Sequence, residues 1–284
     1  MTADAAAAAP VAPDGTALRE LLALAERTAR EAGALIHDGR PSRVEVAATK
    51  SSPTDVVTAM DTASEALILE RLTAARPQDG FLGEETGHRA GTSGLTWVVD
   101  PIDGTVNYLY GIRAYAVSIA LVLDPVRGAS EPDPASWQPL VGCVHDPAGA
   151  ETWTAVRGGG AHLDGRALHA EDGPELAGAL VATGFGYDAA RRAEQAAVVA
   201  RLLPRVRDLR RIGTASLDLC AVAAGRVDAY YERGLKPWDF AAALLVATEA
   251  GAVVTGFTGG APGGEGLLAA GPALHPEVLA ALAS

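Results

Sequence analysis

The sequence predicts a layered α/β protein built as two tightly joined lobes, and three observations carry that prediction. Segments of helical periodicity and short β-rich apolar runs follow one another along the chain. A composition 49% apolar and 20% charged over 284 residues supplies core for several layers. The pattern also changes near 158–175, from mostly strands before it to alternating strands and helices after it.

Each element follows from its own pattern. Leu18, Leu21, Leu22, Ala25, Ala29, Ala32, Leu35 and Ile36 recur at helical spacing and predict a helix over 16–37. A Val44/Val46 alternation reads as a strand. S-S-P-T-D then turns the chain into a helix over 60–75, with Leu67, Ile68 and Leu72 inward. Phe81-Leu82 and Trp97 to Val99 read as short buried strands, and A-Y-A-V-S-I-A-L-V-L (114–123) as a long central one. Residues 125–139 have the Pro/Gly/Ser composition of a loop. Strands resume at 140–144 and 152–156, with R-G-G-G and L-D-G-R as turns. Beyond Gly173 come strands at 180–183, 227–231, 252–255 and 267–270, and helices at 189–203, 214–224, 240–250 and from Pro276. The expected organisation is an Ala/Pro-rich disordered tail (1–14), an N-terminal α+β lobe (15–158) and a C-terminal α/β lobe (159–284), with no internal repeat.

Charge and cysteine usage narrow the partners. A net charge of -12 with no basic stripe argues against nucleic acid as a partner. No apolar run reaches membrane-spanning length, and the N-terminus lacks the basic and Leu-rich regions of a signal peptide, so a cytoplasmic protein without membrane association is expected. Two cysteines, Cys143 and Cys220, make neither a disulfide framework nor a zinc pattern and read as reduced core thiols. The six histidines fall in no ligand-like cluster. Of 23 basic residues only Lys50 and Lys236 are lysines, which marks two places where a compact ammonium differs from a guanidinium.

The chemistry concentrates in W-V-V-D-P-I-D-G-T-V-N-Y (97–108). An apolar strand ends at Asp100, Pro101 stiffens the exit and removes a donor, and Asp103 follows. Gly104 allows close backbone approach, and Thr105 starts a short helix whose free N–H groups favour an anion. Two carboxylates plus the Ile102 carbonyl form a hard-oxygen set suited to Mg²⁺. Three further stretches add acids: G-E-E-T-G (83–87) with Glu84 and Glu85, P-W-D-F (237–240) with Asp239, and K-S-S-P-T-D-V-V-T-A-M-D (50–61) with Lys50, Asp55 and Asp61. Read singly, each is an ordinary turn or helix cap.

Taken in order, these motifs with G-T-A-S-L-D and A-Y-Y-E-R-G-L-K-P-W-D-F-A-A-A resemble the inositol monophosphatase family over roughly 18–282. The resemblance implies a layered αβαβα sugar-phosphatase fold, a homodimer, and Mg²⁺-dependent, lithium-sensitive hydrolysis of a small phosphomonoester. It implies that Glu84, Asp100 and the Ile102 carbonyl hold one Mg²⁺. Asp100, Asp103 and Asp239 would hold a second, and Lys50 lies near the phosphate and any third, weaker ion. Thr105, oriented by Asp61 and assisted by Glu84, would position the attacking water, with Glu85 outside the ligands. Backbone N–H groups of Gly104 and Thr105 would grip the phosphate. Glu232, Asp103 and the backbone at Ala215 would receive the substrate's hydroxyls.

Three features depart from the family's usual pattern. The 125–139 loop is longer than the usual hairpin turn, Tyr110 stands where many relatives carry a histidine, and G-F-G-Y (184–187) replaces a polar loop near the substrate. These departures leave the acidic set intact and bear on the substrate; inositol 1-phosphate is ranked first, with histidinol phosphate and fructose 1,6-bisphosphate as alternatives. A regulatory or scaffolding protein that retains the fold is the alternative of another class.

Overall fold

The computed structural model describes residues 12–41, 44–50, 56–124 and 133–283. The S-S-P-T-D turn, Asp55, nearly all of the Ala/Pro tail and most of the 125–139 loop lie outside the described residues. Helix α1 (Gly15–Asp38) opens on Asp14, whose carboxylate accepts the N–H groups of Thr16 and Ala17. The antiparallel pair β1 (Val46–Thr49) and β2 (Val56–Thr58) leads to α2 (Ala59–Ala75). Then come β3 (Gly80–Gly83), β4 (Gly87–Arg89), β5 (Leu95–Asp103), the short α3 (Thr105–Tyr110) and β6 (Ala116–Leu123). Strands β7 (Gln138–Asp146), β8 (Glu151–Val156), β9 (Gly160–Leu163) and β10 (Arg166–Ala167) complete the first half. The second half contains β11 (Leu180–Thr183), α4 (Ala189–Leu202), β12 (Asp208–Arg210) and α5 (Ala215–Ala223). It ends with β13 (Ala229–Glu232), α6 (Pro237–Glu249), β14 (Val253–Thr255), β15 (Leu267–Ala270) and α7 (His275–Ala283).

Two sheets result. The larger runs β10-β9-β8-β7-β6-β5-β3-β4 and is antiparallel except where β3 lies parallel to β5. The smaller runs β12-β11-β13-β15-β14, parallel across β12, β11 and β13. The chain crosses from the first sheet to the second between Ala167 and Leu180, so β9 and β10 join the N-terminal sheet although composition put a division at 158/159. Their four- and two-residue lengths hide them between glycine-rich turns.

Side-chain alternation builds the layers. On β5, Trp97 and Val99 face a core shared with α1 and α2, while Val98 faces a core shared with α5 and α6. On β13, Tyr230 points to that same middle core, and Ala229 and Tyr231 point to an outer core with α4 and α7. The order is α1/α2, sheet, α5/α6, sheet, α4/α7, an αβαβα sandwich. Helices α5 and α6 lie between two sheets, which explains why all nine residues of α5 are buried, Asp218 among them.

The inward face of α2 is not wholly apolar. Ile68 and Leu72 are buried, but so are Asp61, Ser64 and Glu65 one and two turns before them. Leu67, expected inward, is only half-buried. Glu65 accepts the Glu85 N–H (2.9 Å) and the Thr86 N–H (2.6 Å), and Ser64 donates to the Pro101 carbonyl (3.1 Å). Helix α2 thus holds both the 84–86 turn and the Pro101 segment. Glu65→Gln puts an amide NH₂ against one of those two N–H groups, and a lost buried partner costs about 1–3 kcal/mol. Thermal denaturation is expected to show a lowered Tm; an unchanged Tm would contradict this role.

Candidate active site

A regular strand would send residues 100 and 103 to opposite faces of its sheet. The register of β5 against β6 pairs Asp100 with Ser118 and Asp103 with Ala116, so two residues, Pro101 and Ile102, oppose one. This β-bulge turns both carboxylates to the face covered by α6, while Ile102 packs into the opposite core. Pro101 fits because a bulge releases its residue from donating to the ladder. Gly104, at φ 95°, then reverses the chain into α3. A Cβ there would meet the Ala114 carbonyl at 3.0 Å.

From the same face α6 supplies Asp239 in its first turn, held by the Lys236 N–H at 2.6 Å. Ser118 of β6 donates to the Trp238 carbonyl at 3.4 Å, joining this helix start to the strand beneath it. Glu84 follows β3, its carboxylate 2.7 Å from the Lys50 ammonium, which also reaches Glu85 at 2.7 Å. Asp103 accepts from the hydroxyls of Thr214 and Ser216 and from the Ser216 N–H (2.7 Å). Asn107 ties α3 to the same 212–214 loop by donating to the carbonyls of Ala114 (2.8 Å) and Ile212 (2.9 Å). Thr105 stands 3.1 Å from Asp61 and 3.0 Å from the Ile102 carbonyl, and Asp61 is fixed by the N–H and hydroxyl of Thr58.

Electrostatics mark these acids as one group. Burial, then the charges of Glu84, Asp103 and Asp239, push Asp100 well above the usual carboxylate range. Burial, Glu84 and Asp103 do the same to Asp239. Asp103 is raised by burial against the pull of its Ser216 and Thr214 bonds. Glu84 is pushed up to about 7 by burial, which the Lys50 ammonium offsets only in part. Asp61 is raised by burial, with Thr58 opposing.

Among the described residues no three His, Cys, Asp or Glu side chains stand close enough to hold a metal ion as they are arranged. The acids' oxygens are engaged within the protein: Glu84 with Lys50 and Asp100, Asp100 also with the Ile102 N–H (3.0 Å), Asp103 with Thr214 and Ser216, and Asp239 with the Lys236 N–H. The chemistry of the set nonetheless fits divalent cations. Hard oxygen donors crowd one face in mutual repulsion, and among the described residues Lys50 is the lone ammonium on them. Lys236, the other lysine, has its side chain exposed and engages Asp239 only through its backbone.

The substrate-side residues gather nearby. Ala215 begins α5 beside Asp103. Glu232, at the end of β13, accepts from the Tyr230 hydroxyl at 2.7 Å and is pushed up to about 7 by burial and by Asp103. Sequence reading missed Glu65, Ser64 and Asn107 as contributors. Glu65 was detectable, since Asp61, Ser64/Glu65, Ile68 and Leu72 keep one helical stripe. His37, His145 and His275 bond to Tyr115, Thr152 and Thr255, and both cysteines are buried and free.

Asp218 is 1% exposed and its Oδ1 has no hydrogen-bond partner among the described residues. Burial and the neighbouring charges of Glu232 and Asp103 push it from 3.8 to about 8. The folded state therefore keeps a proton that the unfolded chain has lost. Stability falls as pH rises through the window from 3.8 to about 8, by at most about 1.4 kcal/mol per pH unit. Asp218→Asn is expected to raise Tm more at pH 8 than at pH 5; an equal shift at both would contradict this.

A five-layer αβαβα sandwich with acids gathered where strand β5 bulges defines the sugar-phosphatase class of α/β fold. The chain belongs to the inositol monophosphatase family, whose family model matches residues 17–284. It is 45% identical to an inositol-1-monophosphatase of Mycobacterium bovis over 290 aligned positions, covering 95% of each protein. It is 40% identical over 245 positions to the Nus factor SuhB of Escherichia coli, covering 86% of this chain and 87% of that protein. The crystal structure of the extragenic suppressor protein suhB from Bartonella henselae superposes with a TM-score of 0.83 at 31% identity, covering 93% of this chain and 98% of that one. No helix among the described residues is long and apolar enough to cross a membrane.

Proposed function

We propose that this chain is a Mg²⁺-dependent phosphomonoester hydrolase acting on inositol 1-phosphate or a similar small polyol or sugar phosphate. The observation that carries the reading is the bulge that turns Asp100 and Asp103 to one face, opposite Asp239 and beside the Thr105–Asp61 pair. Glu84, Asp100 and the Ile102 carbonyl would hold one ion, and Asp100, Asp103 and Asp239 a second. Ions held there would supply a water of lowered pKa and neutralise charge on the leaving oxygen. Thr105 donates its hydroxyl proton toward Asp61 and so offers its oxygen to a proton of the attacking water, an arrangement that orients the water in line with the ester. N–H groups of Gly104 and Thr105 would receive the phosphate oxygens. Glu232, Asp103 and the Ala215 N–H would receive the alcohol's hydroxyls. Lys50 and Glu85 set the position and charge of Glu84.

A homodimer, lithium inhibition and a cytoplasmic setting belong to the same proposal. The E. coli relative's name, a Nus factor, favours a second reading in which the fold serves regulation without turnover. Phosphate release from inositol 1-phosphate, histidinol phosphate and fructose 1,6-bisphosphate, each with Mg²⁺, with EDTA and with Mg²⁺ plus Li⁺, decides between them. Magnesium-dependent, lithium-sensitive release, fastest from inositol 1-phosphate, is expected. No release from any ester by folded protein would contradict the hydrolase reading.

A further inference from the structure

A cavity of about 380 Å³ lies beside the substrate-side residues, between the second sheet and helix α4. Its size suits a small organic group. Val198, Phe257 and Leu282 give its wall apolar surface, and Glu194, Gln195 and Glu232 line it as well. Gly184 shapes that shared wall: it packs directly against the Glu232 carboxylate, which a Cβ at this position would overlap.

Polar groups in the wall point to a ligand. Tyr231 is 6% exposed, lines the cavity, and carries a hydroxyl that lies beside Thr183 but makes no hydrogen bond of normal geometry among the described residues. A buried hydroxyl left without a partner costs stability unless something binds it. Arg201 and Arg233 also line the cavity, and among the described residues neither is in an ion pair with an acid. Both are exposed; Arg233 stacks over Phe257 at 5.3 Å and Arg201 donates to the Ala197 carbonyl at 3.2 Å, so among the described residues both guanidinium groups keep donors that a ligand can take from water. Apolar walls with surplus donors fit an apolar, ring-sized group that carries an acceptor such as a carbonyl or carboxylate.

We infer that this cavity is a distal substrate subsite, filled by an apolar, acceptor-bearing extension of the alcohol whose hydroxyls meet Glu232. The inference rests on the phosphatase reading for its first test and stands apart from it in its second. The enzyme therefore favours phosphomonoesters whose alcohol extends past a single polyol.

The first test compares glycerol 1-phosphate with its 3-O-(4-carboxybenzyl) ether, as kcat/KM with Mg²⁺. Ala197 is exposed and lines the cavity mouth, so Ala197→Trp fills the space without disturbing the core. Wild type is expected to favour the ether by about tenfold or more, the scale of a filled apolar pocket. Ala197→Trp should erase that preference and leave glycerol 1-phosphate unchanged. Tyr231→Phe should lower it by about fivefold, as for one hydrogen bond. Equal rates on both esters in wild type, or a preference that survives Ala197→Trp, overturn the inference. The second test titrates the phosphate-free 3-O-(4-carboxybenzyl)glycerol calorimetrically, which needs no turnover. Binding to wild type that Ala197→Trp removes supports the subsite even if neither ester is hydrolysed, in which case only the phosphatase reading fails. Absence of binding to wild type overturns the subsite.

Discussion

Asp100→Asn is expected to lower phosphate release by about 10³-fold or more, the scale on which a buried charge aimed at the reacting group contributes. Asp100 is 2% exposed and faces three other acids, so its charge is costly to the metal-free fold and serves the chain only when cations share it. Asparagine keeps the shape and can still accept the Ile102 N–H that holds the bulge. The variant should therefore fold, with a Tm in EDTA equal to or above wild type. Retained turnover would remove Asp100 from the reaction, and a collapsed Tm would assign it a structural role instead.

Thr105→Val is the second large effect. Valine keeps the volume and branching of threonine at the start of α3 and removes the hydroxyl between Asp61 and the Ile102 carbonyl. If that hydroxyl orients the water, kcat should fall by about 10²-fold or more while KM changes little, since positioned proton-transfer groups contribute on this scale. A rise in KM with kcat preserved would instead make Thr105 a phosphate contact only.

The elements were legible where periodicity was strong. Strands Leu180–Thr183 and Leu267–Ala270 match their predicted ranges, and helix Gly15–Asp38 extends its predicted range by one residue at each end. Alternation over four or more residues with one buried face leaves little freedom of register. The short strands Gly87–Arg89 and Asp208–Arg210 escaped notice because they lie at sheet edges and carry charged, exposed residues.

The site was legible in its residues and illegible in its geometry. A proline between two aspartates announced a stiff exit, but only the pairing of Asp103 with Ala116 shows that the strand bulges and aims both acids the same way. Pro101 inside a strand was the signal for it. Glu65 lies on a stripe of α2 that the sequence displays, but its bonds to the turn bearing Glu84 and Glu85 emerge only in the fold. The cavity beside Glu232 was beyond the sequence altogether: its wall draws on β11, α4, β13, Phe257 and α7, which only the packing of the second sheet brings together.

The central claim is that divalent cations complete this acidic site, and a Mg²⁺ titration tests it most directly. Thermal stability and phosphate release from inositol 1-phosphate would be followed together in wild type and Asp100→Asn. In wild type Tm should climb with Mg²⁺, reaching about 2.7 kcal/mol of added stability at a hundredfold excess over Kd. Release should appear over the same concentrations, EDTA should reverse both, and Asp100→Asn should show neither. Turnover that persists in EDTA, or a wild-type Tm that Mg²⁺ leaves unmoved, would contradict the account.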